Sequence, residues 1–238
     1  MKKGNKTQKR KILNAFALAG CAGTVAMGAY EIFSPRATMF GRIVTHGPRN
    51  KKAVSLVFDR SPNLATRKIC EVLHEFHVPA AFFIEGKRAK TMPKEFRMLR
   101  AFELGIHGET YSPMILKKDL KIVRALRPSL QATNELANRR VKFLMPPHGW
   151  KDLNLLKAAR QLGLIILNPS KRITVKTGQP LYQSVQAFVS TVRPGDIILV
   201  PWQEESDAAD LVPEIVRLLV TGLKESGFEI WGPRVLTG

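Results

Sequence analysis

Residues 53–84 read AVSLVFDRSPNLATRKICEVLHEFHVPAAFFI, and the fold turns on this stretch. Its first six residues, Ala53 to Phe58, are apolar and rich in β-branched side chains, as a strand buried on both faces requires. A polar break, Asp59-Arg60-Ser61-Pro62, follows. Over 63–77 the apolar residues Ile69, Val72, Leu73 and Phe76 recur at helical spacing, which leaves the opposite face polar. Pro79 ends this helix, and residues 80–84 (AAFFI) form a second apolar strand. A strand, an amphipathic helix and a strand in such quick succession imply parallel pairing through a right-handed crossover.

The same alternation continues to the C-terminus. Helices are expected over 88–102, 118–139 (with Pro128 as a start or kink), 153–162, 182–192 and 211–226. Strands are expected over 104–106, 142–144, 164–167, 196–200 and 228–231. Seven strands alternating with helices define an α/β domain that is either doubly wound or a barrel, and periodicity alone does not separate the two. In both, functional side chains gather just after the carboxyl ends of the strands. Those positions hold Asp59-Arg60-Ser61-Pro62, His107-Gly108-Glu109-Thr110-Tyr111, Met145-Pro146-Pro147-His148-Gly149, Asn168-Pro169 and Pro201-Trp202.

Toward the N-terminus the character changes. Lys2, Lys3, Lys6, Lys9, Arg10 and Lys11 precede nineteen uncharged residues, 12–30. At about 1.5 Å per residue such a helix just crosses a hydrocarbon core of about 30 Å, with its basic flank on the cytoplasmic side. Leu18-Ala19-Gly20-Cys21 also resembles a bacterial lipobox, in which the signal is cut before a cysteine that is then lipidated. Residues 1–33 are thus expected to be a signal-anchor or a lipoprotein signal, 34–51 a tether, and 52–238 a single domain. Either reading places the body at the cell envelope, anchored in the inner membrane and facing outward, or lipidated on Cys21. Cys21 and Cys70 are the only cysteines, which excludes a disulfide framework or a thiolate zinc cluster.

The chain has 238 residues, 45% of them hydrophobic and 24% charged, which is globular composition and excludes a multi-span membrane protein or wholesale disorder. Its net charge is +19, of which +14 remains from Ser34 onward. A surface this basic favours polyanions without choosing among them.

The segments at the strand ends also carry a family resemblance. Val57-Phe58-Asp59-Arg60-Ser61-Pro62 resembles the TFDDGP motif of polysaccharide deacetylases, the NodB-homology or carbohydrate esterase 4 domain. Residues 77–84 (HVPAAFFI), 103–108 (ELGIHG), 143–149 (FLMPPHG) and 195–199 (GDIIL) are similar to that family's later motifs, in order, and together they cover about residues 52–237. The resemblance implies a distorted seven-stranded (β/α) barrel. It also implies a divalent metal, often zinc, held by the second aspartate of the first motif and two histidines spaced His-x-x-x-His. The first aspartate acts as base on metal-bound water, and a histidine near the last motif acts as acid.

Carried over by position, Asp59 matches the base and His107 the first histidine. The metal-ligand aspartate is Arg60 and the second histidine is Tyr111. The arginine that orients the base is Met145, and the tyrosine whose backbone lines the oxyanion pocket is His148. The acid histidine falls at Pro201, with Trp202 beside it. A guanidinium repels the ion it replaces a ligand for: at an effective dielectric near 20, a divalent ion about 4 Å from a unit positive charge costs roughly 8 kcal/mol. No metal cofactor is therefore expected, and Arg60 is placed to pair with Asp59 instead. Plainer structural roles also exist for Asp59 as a turn cap, for His107 as a hydrogen-bonded core histidine, and for the tryptophans as packing.

Three readings follow. The first is a glycan-binding pseudoenzyme that uses the old groove, with Arg60, Tyr111, Trp150 and Trp202 as contacts and an envelope polysaccharide or other acidic polymer as partner. The second is an active deacetylase or hydrolase with zinc or another divalent metal in a rebuilt site of Asp59, His107, Glu109 and His148, or with an Asp59/His148 mechanism. The third is a basic polyanion-binding module. Export argues against nucleic acid as a physiological partner.

Overall fold

The computed structural model describes residues 41–175, 178–200 and 208–238. The strands are β1 (Ile43–Val44), β2 (Ala53–Ser61), β3 (Ala81–Glu85), β4 (Glu103–Gly108), β5 (Phe143–Leu144), β6 (Ile165–Leu167), β7 (Lys171–Arg172), β8 (Ile197–Val200) and β9 (Glu229–Ile230). Between them run α1 (Thr66–Glu75), α2 (Gly86–Thr91), α3 (Pro93–Met98), α4 (Asp119–Ala137), α5 (Leu153–Gln161), α6 (Leu181–Val189) and α7 (Ala208–Glu225), with a short α8 (Pro233–Thr237) at the end.

The strand order is β1-β6-β5-β4-β3-β2-β8-β7, with β9 also on β2, and every strand pair is parallel. Among the described residues β1 and β7 end this path unjoined, so the architecture is a parallel half-barrel. All seven expected strands are present. The two further ones, β1 and β7, are two residues long and too short to carry a periodicity. Residues 41–51, expected within a tether, belong to the folded body: Ile43 and Val44 are buried and pair with β6, and the Gly47 N–H donates to the Gly195 carbonyl at 2.7 Å. The expected helix over 88–102 is split by Pro93 into α2 and α3, because proline supplies no N–H to continue the first helix. Pro128 instead sits inside an unbroken α4. The apolar segment 12–30 and Cys21 lie outside the described residues. Among the described residues no helix is long and apolar enough to cross a membrane.

Side-chain parity sorts the core into two layers. Val57, Ala81, Phe83, Phe143, Leu167 and Ile197 fill the inside of the half-barrel, while Leu56, Phe58, Phe82, Ile106, Leu144 and Ile198 face the helices. The same parity directs Asp59 and His107 inward. The inner layer is fitted closely: a Cβ on Gly105 would come within 2.6 Å of the Phe83 ring and 3.0 Å of the Phe143 carbonyl oxygen. Gly105→Ala is therefore expected to lose about 1–3 kcal/mol of stability through overpacking, read as a lower urea midpoint at unchanged m-value.

Candidate active-site cleft

Two β-bulges build the site. Phe58 pairs with Phe82 and Ser61 with Ile84, so β2 carries one extra residue across Asp59-Arg60. Ile106 pairs with Ile84 and Gly108 with Glu85, so β4 carries one extra residue at His107. Bulges bend their strands and re-aim side chains, and here both turn polar residues into the barrel mouth. Arg60 takes the backbone strain, with φ 50 in the left-handed region, at a cost of about 1 kcal/mol for a residue with a Cβ.

His107 is 1% exposed, and its Nδ1 lies 2.6 Å from the Met145 carbonyl oxygen. A carbonyl only accepts, so Nδ1 carries the proton and Nε2 presents a bare lone pair. That buried Nε2 has no hydrogen-bond partner. Burial lowers the imidazole pKa from 6.5 to about 4; the Met145 bond opposes the shift, and the neighbouring Arg60 and His148 add to it. His107 is thus a neutral imidazole with an idle ligand atom.

Beside it, where the family resemblance puts an aspartate ligand, stands the Arg60 guanidinium. It lies 4.6 Å above the Tyr111 ring, and its Nε is 3.9 Å from Glu85 Oε2. Glu85 is buried and also accepts from Arg88 Nε at 3.2 Å, so one carboxylate serves two guanidiniums. The rings continue outward from the buried histidine. His107 and Tyr111 are 5.1 Å apart, Tyr111 and His148 4.4 Å, and His148 and Trp150 5.0 Å, and Trp150 is 51% exposed at the rim. Asp59, 4% exposed, lines the same cleft of about 240 Å³ as His107, Tyr111 and His148.

The expected residues therefore meet, with one correction. Glu109, two residues beyond His107, is turned away from it: its carboxylate packs over Gly86 and pairs with Lys90. Among the described residues no three His, Cys, Asp or Glu side chains converge where a metal ion would sit, so the rebuilt set of Asp59, His107, Glu109 and His148 is not assembled. A divalent ion does not fit this pocket, because the Arg60 guanidinium stands beside the His107 lone pair and Asp59 is the one carboxylate among the described lining residues. Pro201 and Trp202 lie outside the described residues. His148 has φ 59, which throws its ring between Tyr111 and Trp150.

The sequence also missed Lys171 and Arg172, which line the cleft from β7, and Ser170, whose hydroxyl donates to buried Asp196 at 3.0 Å. A two-residue strand inside a polar stretch carries no pattern that would have shown them. The only available signal was their position directly after Asn168-Pro169.

A parallel half-barrel with a polar cleft at the carboxyl ends of its strands is the scaffold of the carbohydrate esterase 4 fold. The chain belongs to the polysaccharide deacetylase family, whose sequence model matches residues 46–166, about half of its length. It is 25% identical to a bifunctional xylanase/deacetylase of Pseudobutyrivibrio xylanivorans, over 76% of this chain and 29% of that protein. It is 29% identical to a peptidoglycan-N-acetylglucosamine deacetylase of Bacillus cereus, over 74% of this chain and 66% of the relative. The chain thus spans less than two thirds of either relative. In structure it resembles a carbohydrate esterase 4 family pseudoenzyme from Bacillus anthracis with a TM-score of 0.72 at 22% identity, over 82% of this chain and 68% of the other.

Proposed function

We propose that this protein is a catalytically silent member of the family, located at the cell envelope, that binds a polysaccharide in the inherited cleft without a metal ion. The observation that carries the reading is the Arg60 guanidinium seated on Tyr111 next to the bare Nε2 of His107. A positive side chain occupies the neighbourhood in which the family's chemistry needs a Lewis acid. The rest of the cleft suits sugar binding. Trp150 offers an exposed ring at the mouth, Tyr111 and His148 extend the aromatic wall, and Arg172 adds a cation. The glycan class is taken from the relatives, since chitooligosaccharide and peptidoglycan deacetylases are among them.

The test joins metal analysis to binding. The purified protein is expected to retain less than about one tenth of an equivalent of zinc, cobalt or nickel and to release no acetate from chitooligosaccharides. It is expected to bind those oligosaccharides in a manner that survives high salt, and Trp150→Ala should weaken binding about three- to tenfold, the worth of one ring stack. A stoichiometric metal lost on His107→Ala, or acetate release with turnover, would promote the enzyme reading. Binding abolished by moderate salt would leave only the polyanion module.

A further inference from the structure

We propose that the rim beside the cleft, built on Leu116, Leu120 and Trp150, docks on an anionic lipid surface. These three side chains are 91%, 62% and 51% exposed. Leu116 is not on a loose tip. Its backbone takes φ 62, and its N–H donates at 2.8 Å to Asp152 Oδ2, while Asp152 Oδ1 accepts from Leu155 N at the start of α5. The fold thus accepts an unfavourable left-handed residue in order to hold a leucine out in water, which is a sign of function rather than packing.

The charge around the apolar tips is net positive. Lys117, Lys118 and Lys121 are exposed around Leu116 and Leu120, and Lys151 adjoins Trp150. The two nearby carboxylates are engaged by other groups: Asp119 accepts from Leu120 N and Gln161 Nε2, and Asp152 holds the two backbone N–H groups already described. Leucine and tryptophan tips inside a lysine ring match a bilayer interface, where the apolar ends enter the acyl boundary and the ammonium groups meet phosphate. A soluble polyanion would engage the lysines and leave the leucines in water, whereas an anionic bilayer takes up both.

The route of the chain agrees. Gly41, where the described body begins, lies against α5: a Cβ there would be 2.9 Å from the Leu156 carbonyl oxygen, one helical turn from Asp152. Upstream in the sequence runs the uncharged stretch 12–30. The segment fit to enter a membrane therefore leads into the body on the helix whose N-terminus carries the rim. Leu116, Leu120 and their lysines suffice for docking, so Trp150 remains available to a sugar at the cleft mouth.

The full chain in a Cys21→Ala background, carrying Leu116→Cys with a nitroxide label, tests this. Cys70 is buried and its thiol pKa is pushed up to about 12, chiefly by burial, so it stays unlabelled. On vesicles of phosphatidylglycerol and phosphatidylcholine (about 3:7), oxygen accessibility at the label should rise and nickel-complex accessibility fall. A label at Val235→Cys, at the opposite end of the strands, should stay in water. Changing Lys117, Lys118 and Lys121 to Gln should lower the docked-to-undocked ratio roughly a hundredfold, at about fivefold per lysine. If Leu116→Cys folds poorly, Leu120→Cys reads the same contact. A label that stays water-exposed on anionic vesicles, that is equally immersed after the lysine changes, or that is shielded before vesicles are added because residues 12–30 cover the rim, overturns the proposal.

Discussion

Arg60→Asp combined with Tyr111→His is expected to convert the metal-free cleft into one that retains about one equivalent of zinc. His107 already supplies part of such a site. Its proton is fixed on Nδ1 by the Met145 carbonyl, and its Nε2 lone pair is buried and unused, so one ligand atom is already in place. Tyr111, whose ring is 5.1 Å from the His107 ring and directly under Arg60, stands where the family resemblance puts the second imidazole. What opposes the ion is charge. A unit cation about 4 Å from a divalent ion costs roughly 8 kcal/mol at an effective dielectric near 20, and an aspartate there would attract the ion by a similar gross amount. Desolvation consumes much of that difference, but each decade of affinity needs only about 1.4 kcal/mol. Tyr111→His alone should bind no metal, because the guanidinium remains. The double variant should raise zinc affinity by at least about a hundredfold, measured by competition with a chelator of known affinity. A folded double variant with no gain, or a wild-type chain already holding stoichiometric zinc, would sink the electrostatic account. Acetate release should stay at background even in the double variant, since the family resemblance puts Pro201 at the acid position, and a Lewis acid without a proton donor for the leaving amine does not complete the reaction.

The second large effect is on stability in acid. His107 titrates near 4 in the folded chain against 6.5 when unperturbed. Between those two values the unfolded chain binds more protons than the folded one, so stability falls as pH falls through this window and levels off below about 4. The full difference of about 2.5 pK units corresponds to about 3 kcal/mol, or a little over 1.3 kcal/mol for each pH unit where the slope is steepest. His107→Gln removes the titration while keeping an amide N–H donor in the side chain. Urea unfolding of both proteins at pH 7.5, 6, 5 and 4, with chelator present, should show the wild type losing about 3 kcal/mol more than the variant across the series. Parallel stability curves would mean that His107 is solvated or already charged.

Much of the candidate site is legible in the sequence. Asp59, Arg60, His107, Tyr111, His148 and Trp150 each lie at or just beyond the carboxyl end of a strand, and all of them come together at the cleft or its rim. They were legible because parallel α/β folds place the residues after their strands at one end of the sheet, so position along the chain stands in for position in space. Side-chain direction was not legible. Glu109 lies two residues from His107 and looks like a partner, yet the chain beyond the β4 bulge carries it to Lys90. Glu85, which closes a strand of apolar residues, is the buried counter-ion of Arg60 and Arg88.

By itself, the sequence determined the parallel α/β order, the identity of the strand-end residues, and the presence of a cation where a metal ligand is expected. The first two depend on local periodicity and residue type, and the third on the resemblance of residues 57–62 to a polysaccharide deacetylase motif. Only the tertiary structure decided that residues 41–51 belong to the body, that Glu85 lies beside Arg60 while Glu109 pairs with Lys90, and that Leu116 is held out in water. Those outcomes depend on bulges, on two-residue strands and on backbone hydrogen bonds between segments far apart in the chain. Such features have no period, because the pairing partner that creates them lies elsewhere in the chain.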